Sequence, residues 1–218
     1  MKETEEIVFQ NLFVKLRTTH FNTEETYSPV SPWKNRLMES YYVAAMSCPE
    51  QYNSSATYHL MNPWQEKRRQ RIFDEERHAI DTSIESLRLL NIIIYNVERI
   101  ERDGINLSGI IELGQYLRNH GHEVDYVKLD HWLKRLCLRR MASLISSILL
   151  FVFNFEIDEL PFLYRKNPEV LNIIYKQIEY NKANGKYKKT YSTMRYSPLS
   201  YIGNVLYKVK NVLNNIEE

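Results

Sequence analysis

The sequence predicts an all-α protein, a bundle of about seven helices. Three observations carry that prediction: four prolines that stand where a helix would begin, each preceded by Ser or Asn, apolar residues recurring at helical spacing through most of the chain, and only one short stretch of β-favouring composition. In a Ser-Pro or Asn-Pro pair the polar side chain caps free amides, while Pro fills the first helical position without losing an intrahelical bond.

The elements follow in order. Ile7, Val8, Leu12 and Leu16 mark a first helix. Ser31-Pro32 opens a second over 32 to 47, stopped near Pro49. Asn62-Pro63 opens a third that the apolar spacing carries from 63 to 102, where Asp103-Gly104 ends it. At about 1.5 Å per residue this helix would be close to ~60 Å long, so it is either a spine for the bundle or is broken along its length. Ile110, Ile111, Leu113 and Leu117 give a short helix ending at Gly121, and Val127, Trp132, Leu136, Leu144, Ile148 and Phe155 a long one from 126 to 156. Asn167-Pro168 opens a helix over 168 to 183, stopped near Gly185, and Ser197-Pro198 one over 198 to 216. Between these last two, after Asn184-Gly185, the stretch near 186–196 is expected to be a small β-hairpin or ordered loop.

A change of charge near Leu160 to Pro168 suggests a soft boundary. Residues 1–160 form the expected helical body, and 161–218 a basic, Tyr-rich helical C-terminal region that can belong to the same domain. A composition of 44% hydrophobic and 26% charged residues supports a packed core, and a formal net charge of +2 is too small to indicate a partner by itself. Cys48 and Cys137 lie in unrelated segments without metal spacing, as expected of reduced thiols. The acidic start, Met1 to Glu6, lacks the pattern of a secretory signal, so the expected location is cytoplasmic. Leu144 to Phe155 is almost wholly apolar but falls short of the roughly 20 residues a membrane span needs, and reads as a buried core helix. A membrane partner is therefore not expected, although the flanking Lys134, Arg135, Arg139 and Arg140 are of the kind that anchors a segment at an interface.

Four groups of residues carry possible chemistry. In Asp74-Glu75-Glu76-Arg77-His78, the spacing Glu75-x-x-His78 resembles half of the metal motif of ferritin-like di-iron carboxylate proteins, with Glu39 on the preceding helix as the lone first carboxylate. The resemblance implies a helical bundle holding two metal ions. The chain departs from that pattern in having no second Glu-x-x-His. Helical geometry adds a second departure: Phe73, Ile80, Ile84, Leu87 and Ile94 share one face, which turns Glu75 and His78 outward, where Arg71 and Glu75 form an i,i+4 pair.

Arg71 and His78 lie within about 20° of each other around the same helix. Their spacing resembles the Arg-x(4 to 6)-His motif of HEPN ribonucleases, helical enzymes that set paired Arg and His residues at a dimer cleft. That resemblance implies His78 as general acid or base and Arg71 as stabiliser of charge developing on phosphate. The polar residue common after the Arg of that family is Ile72 here.

His120-Gly121-His122 with Asp125, Asp130 and His131 gathers metal-ligating side chains at a predicted interhelical link, without a recognised ligand spacing. A helix C-terminus stopped at Gly121 and a following N-cap at Asp125 account for most of them. The fourth group is the basic run Lys182, Lys186, Lys188, Lys189, Arg195, Lys208 and Lys210, interleaved with tyrosines and free of acidic residues, which suits contact with nucleic acid. No Gly-rich phosphate loop, GxSxG elbow or HExxH motif is present. The leading expectation is a non-enzymatic interaction or regulatory protein that needs no cofactor and uses a protein partner or self-association, with nucleic acid as a further partner. A helical ribonuclease stands second and a di-iron protein third.

Overall fold

The computed structural model describes residues 3–46, 52–79 and 83–184. Among these the chain is all-helical, with eight α-helices and no strand. It divides into two compact units, Met1–Tyr187 and Lys188–Glu218; the second lies outside the described residues, as do the expected hairpin or loop near 186–196 and the helix over 198–216.

Helices α1 (Glu3–Phe21) and α2 (Pro32–Met46) pack side by side. Val8, Phe9, Leu12 and Leu16 of α1 meet Met38, Tyr41, Ala44 and Ala45 of α2, and the rings of Phe9 and Tyr41 stack at 4.7 Å. The capping residues act as the sequence indicates: Asn62 accepts from the Trp64 amide at 2.9 Å, and Ser31 from that of Lys34 at 3.4 Å.

The predicted 63–102 helix is two helices, α3 (Pro63–Arg77) and α4 (Ile84–Asp103). His78 takes φ −106°, ψ 0°, and Ser83 precedes the new start. Neither Pro nor Gly marks this break, which is why apolar spacing ran across it. The interruption also resets the faces: Ile72 is fully buried on α3, whereas Ile84 is 58% exposed. Helix α4 is the spine of the body, with every residue from Leu89 to Val97 buried, and it ends at Gly104, φ +90°, as expected. Helix α5 (Leu107–His120) lies against it.

The predicted 126–156 helix is likewise two, α6 (Tyr126–Arg135) and α7 (Arg139–Phe153). Cys137, at φ +56°, makes the turn. Its amide donates to Lys134 O at 3.0 Å and that of Leu138 to Leu133 O at 2.8 Å, while the side chains of Leu133 and Leu138 are both buried. This is a Schellman ending with cysteine in the slot that glycine usually fills, so composition alone does not reveal it. Asn22 and Asn154 end α1 and α7 in the same left-handed conformation.

The apolar stretch within α7 is core: Ile145, Ile148, Leu149, Val152 and Phe153 have no exposure. Ser146 and Ser147, which interrupt it, donate to the carbonyls of Ala142 and Ser143 four residues earlier, each at 2.8 Å. No described helix is long and apolar enough to cross a membrane.

Helix α8 (Val170–Asn184) closes the body. Val170, Ile174 and Ile178 are buried with Leu160 and Phe162, and the Tyr175 ring meets Phe9 edge-on at 4.3 Å.

Candidate functional site

A polar cluster forms where the start of α4 meets the end of α5. Glu85, in the first turn of α4, has Oε1 held by Arg88 Nη1 at 2.7 Å. The Tyr116 hydroxyl bonds to Glu85 Oε2 and lies 3.1 Å from the Glu85 backbone carbonyl. Burial, and then the Glu85 carboxylate, hold this phenol far above its ordinary range, so it stays protonated as a donor. One turn further along α5 the His120 ring lies 5.1 Å from Tyr116. A 3₁₀ turn, Gly121–Glu123, then brings Glu123 Oε1 to 3.8 Å from His120 Nδ1. One ligating atom from each of Glu85, His120 and Glu123 lies within 4.8 Å of the others.

The His120 side chain is 45% exposed, yet its Nδ1 is sealed from solvent without a hydrogen bond. His122 Nε2 stands 3.4 Å from the same Glu123 oxygen. Two turns before His120, Glu112 is half-buried, and burial pushes its carboxyl up. The sequence singled out His120 and His122 but not Glu85 or Tyr116, because the meeting of two helix ends leaves no local spacing to read.

The second feature is the outward stripe of α3, where Arg71, Glu75 and His78 are all exposed. Glu75 pairs with Arg135 of α6 through two bonds, at 2.6 and 3.1 Å, instead of with Arg71. The Arg135 guanidinium holds that carboxyl below its ordinary range. Arg68 Nη1 donates to Arg135 O at 3.0 Å and Gln65 to Leu136 O at 2.7 Å, so α3 caps the carbonyl end of α6. The α3–α6 face therefore carries Lys67, Arg68, Arg71, Lys134 and Arg135, with the charges of Asp74 and Glu75 set against them and Trp64 70% exposed at its edge.

The other predicted residues are dispersed. Glu39 is held by Lys15 Nζ at 2.6 Å from Oε1, on the α1–α2 side, so Glu39, Glu75 and His78 do not gather into one ligand set. Asp125 is the N-cap of α6, accepting from Val127 and Lys128 at 3.0 Å. Asp130 pairs with Arg139 and Tyr164, and His131 is exposed on α6. Lys182 Nζ sits 4.2 Å over the Tyr41 ring. Lys186, Lys188, Lys189, Arg195, Lys208 and Lys210 lie outside the described residues. No family model, curated protein or solved structure gives a significant match to the chain.

Proposed function

We propose that this chain is a non-enzymatic helical interaction protein whose partner is a polyanion, most simply a single-stranded nucleic acid. The observation that carries the reading is the α3–α6 face: Lys67, Arg71 and Lys134 form no ion pair among the described residues, Arg68 spends its hydrogen bonds on a carbonyl and a thiol, and Trp64 offers a ring for stacking. The Lys- and Tyr-rich run from Lys182 to Lys210 extends the same chemistry in sequence. A protein partner or a second copy would use the same exposed helical surface.

Fluorescence anisotropy with a labelled single-stranded oligonucleotide tests it. Binding is expected at low salt and to weaken as salt rises, with Arg71→Ala plus Lys134→Ala lowering the salt slope by about 1.4 (roughly 0.7 per lost phosphate contact on a single strand) and Trp64→Ala lowering affinity without changing the slope. Lys188→Ala with Lys189→Ala measures the share of the basic run. Absence of binding at low salt, or binding indifferent to salt, refutes the proposal.

A second reading, a helical ribonuclease using Arg71 and His78, is supported by the exposure of both residues on α3. It requires RNA cleavage that His78→Ala abolishes; cleavage surviving that substitution removes it.

A further inference from the structure

We propose that Glu85, His120 and Glu123 bind one divalent transition-metal ion, with zinc the best fit to the donor set, and that the ion clasps the start of α4 to the end of α5. The proposal does not depend on the polyanion reading, which concerns another surface.

One imidazole nitrogen with two carboxylates is a borderline donor set, suited to zinc; magnesium and calcium call for more oxygen ligands. Donor atoms around a tetrahedral zinc stand about 3.3 Å apart, given bonds of about 2.0–2.1 Å. The three ligating atoms already lie within 4.8 Å of one another, so side-chain rotation alone, chiefly of Glu123 on its exposed 3₁₀ turn, closes the set. A water supplies the fourth position, or the His122 ring, whose Nε2 is 3.4 Å from Glu123 Oε1.

Two further observations point to a ligand. His120 Nδ1 is a buried polar atom without a hydrogen bond, an arrangement that is unfavourable unless something bonds it. The ion would supply that bond. The Glu85 carboxylate is also held in place by Tyr116 and Arg88, the kind of outer support that metal-ligating carboxylates carry. Each of its oxygens keeps a lone pair for an ion.

The experiment is calorimetric titration of Zn2+ into the metal-stripped full-length chain, with Mg2+ in a parallel titration. One equivalent of zinc is expected to bind and magnesium not to. His120→Ala and Glu123→Gln should each weaken zinc at least about tenfold, while His131→Ala and Cys137→Ser leave it unchanged. Because Glu123 is exposed, its substitution preserves the fold, so the expected zinc-dependent rise in Tm of the wild type should be lost in Glu123→Gln at unchanged helicity. No uptake by the wild type, equal uptake by the His120 and Glu123 variants, or loss of uptake in Cys137→Ser overturns the site.

Discussion

Arg17 of α1 donates through Nη1 to the carbonyl of Val152, 2.7 Å away near the end of α7. Its other nitrogens take Glu25 in a two-bond pair, and Arg17 is only 9% exposed. One side chain thereby caps a buried helix end and fixes the loop after α1. Arg17→Met should lower stability by about 2–4 kcal/mol, since it strands both a buried carbonyl and a carboxylate. Glu25→Gln should cost less, because the bond to Val152 survives. Urea denaturation of the two variants reads the difference.

Helices α4 and α5 meet at Gly109, whose carbonyl accepts from Asn96 Nδ2 at 3.0 Å. A Cβ there would stand 2.6 Å from Asn96 Oδ1 and 2.8 Å from a Tyr95 ring carbon. Gly109→Ala should therefore destabilise the protein by roughly 1–3 kcal/mol despite alanine's higher helix propensity. A melting temperature equal to or above that of the wild type would contradict this packing.

Glu66 ties the loop before α3 to the helix, accepting from the Leu60 amide at 2.9 Å and from buried Arg69. Burial opposes its ionisation, but hydrogen bonds from Arg69, then His59, then Leu60 outweigh it and hold the carboxyl at about 2 against an ordinary 4.5. A carboxyl depressed in the folded state stabilises it fully above the unfolded value and loses that contribution as pH falls toward the folded one. The stability gap between wild type and Glu66→Gln should thus be fully present at pH 6 and shrink by up to about 3 kcal/mol between pH 4.5 and 2. Urea midpoints at several pH values in that window would show it; a gap constant with pH would not fit.

Cys137 occupies a left-handed position, so Cys137→Gly should keep or slightly raise stability and Cys137→Val should lower it by about 1–2 kcal/mol. The side chain is exposed, which limits the cost of losing it. Thermal melts of the two variants should move apart accordingly.

Caps and the helical class were readable because each needs only neighbouring residues: Asn62-Pro63, Asp125 and Gly104 did as local chemistry requires. The breaks at His78 and Cys137 were not, since the residues there lack the conformational signature of Gly or Pro and the apolar spacing continues on either side. The outward exposure of Arg71, Glu75 and His78 was also readable from periodicity, whereas the partner of Glu75 was not, because Arg135 comes from a helix 60 residues away. The same limit hid the pairing of Glu85 with Tyr116 across 31 residues.

The ring pair Phe9 and Tyr175 joins the first helix to the eighth, with most of the polypeptide between them. During synthesis α1 can pair with α2 at once, but the edge of its flank at Phe9 and Phe13 that Tyr175 covers stays open until nearly the whole body has left the ribosome, and only then can the ends close on each other. Fragments stopped before α8 should consequently be the aggregating ones, however well their central helices form.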